Sequence, residues 1–439
     1  MFLFPCYAGV VVTKKNRLVL ELLTLALACA PLVIPTTASA IPAFSRQHKT
    51  ECSTCHTIYP ELNEFGDAFL KNGYVYPSGA KQADAGTKPQ GQGQGKTEGL
   101  WLSGIPEDVP ISFTGTLDVR FDDDAVDEID LSSRSLRLHA GGAFREAAGF
   151  FATYNAYAQG VQAGTDLVPS NNATNINEMY IMLRRALGTP VNVKVGRMEP
   201  KTSLWKRSNR VILVPSYAST AYNVGSSEFS LDTPQDALEV NGVFAKRLFA
   251  AAGLVDSKGQ DNNDGYGHVS VKIGGTDFNG HEPEIDLEED SVWDYLSLTL
   301  GAFGYVGKNS NLTLAGVPQN TNNFYRAGGE FDLLYKRFHL KGSGVFGRDK
   351  NPTFSPTPGA ELETHAYAFE GEYMLGVPVN TVALFRYEYQ EDARGGTRRY
   401  IPAIAYAPIQ NTRLSLQYVY ADTPAGSDRF TLASVAFSF

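Results

Sequence analysis

The sequence predicts a mainly β protein: a transmembrane antiparallel barrel of about 16 strands, with a small α-helical N-terminal segment acting as its plug. Three observations predict it. From Pro110 to Phe439 apolar and polar residues alternate in repeated runs separated by turn signals. Ile111, Phe113, Leu117, Val119 and Phe121 interleave with Ser112, Thr114, Thr116, Asp118 and Arg120; Leu414, Leu416, Tyr418 and Tyr420 interleave with Arg413, Ser415 and Gln417. Period-two alternation marks a strand with two unlike faces, a property that soluble sandwiches share. Connection lengths separate the two cases. Segments near 145–149, 188–190, 245–247, 376–379 and 408–410 are short, and those near 122–130, 162–175, 200–235 and 347–362 are long. Short periplasmic turns opposite long outer loops are the outer-membrane pattern. Finally, the chain ends on the alternating run Thr431–Phe439 with a terminal aromatic residue, and its 22 Tyr and 25 Phe suffice for the aromatic girdles of such barrels.

Alternating runs begin near 111, 131, 150, 176, 191, 236, 248, 264, 291, 323, 338, 363, 380, 396, 411 and 428. An even number closes a single-chain barrel with both ends in the periplasm. Residues 207–218 and 310–316 are ambiguous, and the 276–290 connection is too long for its periplasmic position. A barrel of this size predicts an aqueous lumen. Inward Asp118, Arg120, Arg137, Glu178, Arg184, Lys194, Arg386, Glu388 and Arg413 then read as hydrated lining. Asp122, Asp123, Asp124, Asp127, Glu128 and Asp130 make an acidic outer loop, whose hard oxygens suit divalent cations. It reads as solubilising surface before it reads as a funnel.

The N-terminus predicts export. Lys14, Lys15 and Arg17 precede an apolar run, Leu18 to Ile34, interrupted by Glu21 and Pro31. Thr36 to Ala40 follows as an A-x-A cleavage site, so residues 1–40 read as a signal peptide and Ile41 as the mature N-terminus. The leader carries more basic than acidic residues, so the mature chain is more acidic than the formal net charge of −9. That balance argues against nucleic-acid binding and favours cationic partners.

Loss of the leader removes Cys6 and Cys29 and leaves Cys52 and Cys55 as the only cysteines. They belong to Cys52-Ser53-Thr54-Cys55-His56. Two thiols three positions apart can form thioethers with the vinyl groups of a haem, and the adjacent imidazole then ligates the iron. The expectation is one covalent haem c on Cys52 and Cys55, with His56 as proximal iron ligand. A zinc site would need further Cys or His at ligand spacing, and no second C-x-x-C exists. The mono-haem segment, 41–77, predicts one helix, Glu61 to Asn72, introduced by Pro60 and stopped by Gly73. Leu62, Phe65 and Phe69 give it an apolar stripe. Fewer than forty residues cannot bury a porphyrin unaided, so the barrel interior must shelter it. Residues 78–109, with Gln90 to Gly95 alternating Gln and Gly, read as a flexible linker. The sixth iron ligand stays open among His48, Met182, Met198 and a five-coordinate or water-ligated iron. No acid–base or nucleophilic constellation is present, so no catalytic residue is expected.

Phe44-Ser45-Arg46-Gln47, the haem motif, and Tyr59-Pro60-Glu61-Leu62-Asn63-Glu64-Phe65-Gly66 through Asn72-Gly73-Tyr74 resemble the cytochrome–porin fusions of bacterial outer membranes. Residue-level likeness spans about 44–74; the architecture extends it over the mature chain. The best-known members are outer-membrane iron-oxidising cytochromes with a haem site of the form A-x-P-C-x-T-C-H. This chain keeps Thr54 but has Lys49 and Glu51 where that pattern has Ala and Pro. The resemblance implies electron transfer across the outer membrane. The donor would be extracellular, Fe(II) for example, and the acceptor a periplasmic c-type cytochrome or copper protein. A solute porin with a structural or regulatory haem plug, and the same conduit run outward as an extracellular reductase, are the alternatives.

Overall fold

The computed structural model describes residues 43–48, 50–76, 110–122, 125, 128–144, 146–158, 176–205, 210–212, 214–219, 230–231, 233–256, 263–283, 291–312, 318–359, 361–376, 380–392 and 395–438. The leader, the linker, Phe439, residues 123, 124, 126 and 127 of the acidic outer loop, and residues 284–290 lie outside them.

Sixteen strands form one closed antiparallel barrel. They are β1 (Ile111–Phe121), β2 (Ile129–Phe144), β3 (Ala148–Ala158), β4 (Ile176–Leu183), β5 (Val191–Met198), β6 (Gln235–Phe244), β7 (Leu248–Asp256) and β8 (Asn263–Gly274), followed by a second eight. Those are β9 (Leu296–Leu312), β10 (Pro318–Tyr335), β11 (Phe338–Asp349), β12 (Leu362–Met374), β13 (Thr381–Asp392), β14 (Gly395–Ile409), β15 (Thr412–Thr423) and β16 (Gly426–Ser438). Strand β16 closes on β1 with Ser438 opposite Thr114 and Thr431 opposite Phe121. All sixteen expected runs are strands. Closure leaves no sheet edge unpaired, which is the condition for a β structure to cross lipid.

The faces are inverted relative to a soluble protein. Leu254 is 62% exposed and Phe385 50%, while Arg386 and Glu388 are 0% exposed. An apolar outer belt around a polar interior is the transmembrane arrangement, and the protein is an outer-membrane barrel.

The lumen is not the open aqueous channel that the sequence suggested. Two pieces of the chain fill it. From the floor, where the short turns lie, the N-terminal segment enters with helix α1 (Ala43–His48), a ribbon pairing His56–Ile58 with Glu61–Leu62, and helix α2 (Glu64–Lys71). From the outer rim, the connection between β5 and β6 folds inward. Residues 207–218, ambiguous in the sequence, form no strand where described; Ile212 and Val214 pack as buried residues instead. Ser203 Oγ donates to Glu330 Oε2 at 2.7 Å, and Arg386 Nη1 donates to the Val214 carbonyl at 2.8 Å. Of the inward charges, Arg386 and Glu388 are therefore buried partners and not hydrated lining: Arg386 Nε meets Glu370 Oε2 at 2.8 Å and Glu388 pairs with Arg399. Arg137, Glu178, Lys194 and Arg413 do line the cavity described below. Arg184 is no wall residue; it lies in a turn and donates to the Glu146 carbonyl.

Helix α2 starts three residues later than expected. Pro60 belongs to the ribbon turn, and Asn63 is the true cap, its side chain accepting from Gly66 N at 2.9 Å. Such a cap contributes about 1 kcal/mol. The overlong 276–290 connection also has its reason. Its described part, 276–283, packs against the floor segment: Asn72 Nδ2 donates to the Phe278 carbonyl at 2.9 Å and Lys71 lies 4.6 Å from the Phe278 ring. The capped turn α3 (Val292–Tyr295) then delays β9 to Leu296.

Contacts to the floor segment come from around the barrel. Arg46 donates to the Ile111 carbonyl, Gln47 to that of Gly141, and Cys52 N donates to Gln410 Oε1 at 3.1 Å. Lys272 pairs with Glu64 at 2.7 Å. Lys341 pairs with Glu61 at 2.5 Å while also meeting Glu370 at 2.9 Å and Glu372 at 2.6 Å. Gly149 is required by close approach: a side chain there would overlap the Gly73 carbonyl.

Two outcomes follow for docking. Gly149→Leu should preserve barrel assembly and weaken floor-segment docking by about 1–3 kcal/mol, the usual overpacking cost. Limited proteolysis should then cut within 43–76 faster than in wild type, and equal rates would contradict the contact. Lys341→Met strands three buried carboxylates, and losing one partner of a buried pair costs about 3–5 kcal/mol. Denaturant titration of segment docking should show that loss, with partial recovery in the Lys341→Met, Glu61→Gln double variant.

Candidate functional site

Cys52, Cys55 and His56 come together at the end of a cavity of about 620 Å³ between the floor segment and the barrel wall. That is within the roughly 300–1,000 Å³ typical of ligand pockets. The motif is folded tightly. Cys52–Thr54 form one 3₁₀ turn, and Cys55 N donates to the Cys52 carbonyl at 3.2 Å. Asn63 returns across it, Nδ2 donating to the Ser53 and Thr54 carbonyls at 3.0 and 3.1 Å. A Cβ on Gly66 would overlap the Cys55 carbonyl, so only glycine lets α2 lie against the motif. Sequence reasoning gave neither Asn63 nor Gly66 a role; the signal was a capping residue three positions before a glycine.

Both thiols are free, not joined in a disulfide. Burial pushes the Cys55 thiol up to about 11, with Cys52 adding to the shift. His56 Nδ1 lies 3.1 Å from the Pro60 carbonyl and 3.2 Å from that of Glu61. Carbonyls only accept, so the proton is on Nδ1 and the Nε2 lone pair is left for another partner. Burial holds the imidazole below its usual range and hence neutral, the form that binds metals. The cavity has an apolar wall: Phe44, Leu62, Phe69, Leu70 and Tyr74 line it from the segment and Phe151 from the barrel. Phe44 stacks on Tyr74 with centroids 5.0 Å apart, Tyr74 on Phe151 at 5.7 Å, and the Tyr74 and Tyr180 hydroxyls are hydrogen-bonded. Of the expected stripe, Leu62 and Phe69 reach the cavity, whereas Phe65 packs on Tyr76.

Two thiols, a neutral imidazole with one free nitrogen, and a mostly apolar void are a donor set and shape that fit a c-type haem. The candidate sixth ligands divide. His48 lines the cavity with its ring 5.3 Å from each of the Phe69 and Tyr76 rings; neither ring nitrogen has a hydrogen bond among the described residues. Met182 also lines it, but its sulfur accepts from Asn241 at 3.8 Å. Met198 is inward-facing as expected yet fully buried in the aromatic core beside the cavity and does not line it.

A buried ionic cluster adjoins the site. Glu61, whose carbonyl holds His56, reaches Lys341, and His339 lies between Glu372 at 3.2 Å and Asp332 at 2.9 Å. Burial and the neighbouring Glu372 push the Glu61 carboxyl up to about 7 against the pull of Lys341. Glu61, His339 and Glu372 have ligand atoms within 4.8 Å of one another, but the Lys341 ammonium already occupies the position a cation would take.

No protein-family model matches the chain, and no curated protein matches it by sequence. Solved structures do match. An anion-selective porin from Comamonas acidovorans aligns with a TM-score of 0.52 at 11% identity, over 75% of this chain and 99% of that one. The outer membrane channel DcaP of Acinetobacter baumannii aligns with a TM-score of 0.48 at 12% identity, over 76% and 97%. At such identities the likeness is one of fold. The chain is a porin-like outer-membrane β-barrel whose lumen holds its own N-terminal segment.

Proposed function

We propose that the protein carries one covalent haem c on Cys52 and Cys55, ligated by His56, and passes single electrons across the outer membrane. The donor is extracellular, with Fe(II) the first candidate, and the acceptor is a periplasmic c-type cytochrome or copper protein. One observation carries this reading. The attachment motif opens into a cavity whose other walls belong to the barrel, so the short segment obtains the cover it cannot supply itself. The bound group would supply a one-electron couple.

The chain's own residues have separable roles. Cys52 and Cys55 tether. The Pro60 and Glu61 carbonyls orient His56 and raise its basicity. Phe44, Phe69, Tyr74 and Phe151 exclude water. Arg210, Ile212 and Pro215, from the connection that enters at the outer rim, line the same cavity as the floor residues. Donor-side and acceptor-side structure thus meet at one enclosure. Glu51 and Ser53, exposed beside Cys52, offer the carrier a place to dock. His48 is the best-supported sixth ligand, because its nitrogens are uncommitted while Met182 is engaged.

A solute porin with a haem plug is the second reading. It is favoured by the porin fold and by the basic side chains Arg137, Lys194, Lys201 and Arg413 on the cavity wall, given that one structural neighbour is an anion-selective porin.

Wild-type chain should retain haem through denaturation, and a Cys52→Ala, Cys55→Ala variant should not; a wild type that releases its haem would end the main reading. His48→Ala should convert a low-spin ferric absorption spectrum to a high-spin one, with Met182→Ala leaving it unchanged; the reverse pattern would assign the ligand to Met182. Mixed anaerobically with Fe(II) at neutral pH, the loaded protein should develop reduced-haem bands. No reduction would remove Fe(II) as donor. Large solute flux through reconstituted wild-type barrels, matched by the Cys55→Ala variant, would favour the porin.

A further inference from the structure

The cavity has a second, chemically opposite side. On four neighbouring strands, β15, β16, β1 and β2, the register aligns Arg413 with Ala436, Ala436 with Thr116, and Thr116 with Ser135. The adjacent row aligns Ser438 with Thr114, Thr114 with Arg137, and Arg137 with Asn155. All eight line the cavity. Small hydroxyl side chains and one alanine leave room in front of two guanidiniums. Tyr59 of the floor segment, 5.5 Å from His56 between ring centroids, lines the cavity with this patch. The patch therefore shares the cavity with the imidazole and adjoins the aromatic wall, where His139 lies 2.8 Å from the Thr114 hydroxyl and 6.1 Å from the Phe151 ring.

Arg413 is the telling residue. It is 2% exposed, its Nε has no hydrogen-bond partner, and its one hydrogen bond is a long one, Nη1 to the Arg210 carbonyl at 3.4 Å. It forms no ion pair among the described residues; Glu61 and Asp118 act on it only through space. A buried guanidinium is costly unless a carboxylate or phosphate pairs with it, and its planar fork suits a carboxylate in particular. We propose that this wall is a carboxylate subsite, in which Arg413, flanked by Arg137, receives the propionate groups of the haem. This rests on the haem reading above and deepens it. A porphyrin has an apolar body and two carboxylates on one edge; the cavity is lined both by apolar rings and by two guanidiniums.

Pairing a propionate with a fixed cation favours the reduced, more negative state of the haem. Arg413→Gln should therefore lower the midpoint potential of the loaded, full-length protein. The expected change is about tenfold in the ratio of reduced to oxidised haem at fixed potential, or about 59 mV for one electron. Arg413→Lys should restore most of it. Ala436→Asp gives Arg413 an internal carboxylate directly across the strand pair. It should lower the potential in the same direction without creating an unpaired charge, and so serves if Arg413→Gln does not fold. Less than a twofold change in that ratio in either loaded variant would overturn the subsite while leaving covalent haem in place. A wild type with no covalent haem would overturn both readings.

Discussion

A single ammonium ties together the three parts that fill and enclose the lumen. Lys341, on the wall, meets Glu61 of the floor segment, Glu370 and Glu372 of the neighbouring strand, and lies 5.7 Å from the ring of Trp205 on the connection that enters from the outer rim. Removing so many charges from water is expensive, and their mutual attraction offsets that expense only when every partner is present. The arrangement contributes position more than stability. Glu61 can sit in one place, and its carbonyl is one of the two that hold His56 Nδ1. Two links, one ionic and one hydrogen-bonded, thus connect the orientation of the imidazole to the barrel wall.

The same economy explains the inverted interior. A wall strand that turns apolar residues to lipid must turn polar ones inward, and those need partners. Water would serve in an open channel. Here Arg386 is met by Glu370 and the Val214 carbonyl, Gln417 by Val214 N, and Glu330 by Ser203, Leu204 and His268. The inward charges are thus a scaffold that specifies where the in-folded connection runs.

Much of this was legible in the sequence, for identifiable reasons. Strand number and order follow from period-two alternation because a lipid-facing surface enforces it on each strand. Cys52, Cys55 and His56 are legible as a group because they lie within five positions and fold as one tight turn. What escaped is what alternation does not encode. Nothing local in Leu204 or Val214 marks them as lumen fillers, since their partners lie more than a hundred positions away. The burial of Arg386 and Glu388 is not legible, because pairing across the lumen leaves no trace in a strand's own pattern. Asn63 took the cap from Pro60 because its side chain can satisfy Gly66 N, and a prolyl ring cannot. The 276–290 connection seemed too long only while the helix it supports was missing from the picture.

The filled lumen also bears on what kind of traffic a porin fold can serve. At the level of Lys341 and Arg386 the wall side chains are spent on one another and on the two intruding segments, which narrows the column of water that solute diffusion needs. Residues of the floor segment and Arg210, Ile212 and Pro215 of the in-folded connection line the same cavity. Both pieces of the chain that enter the lumen thus shape one cavity, which holds two free thiols, a neutral imidazole and two guanidiniums.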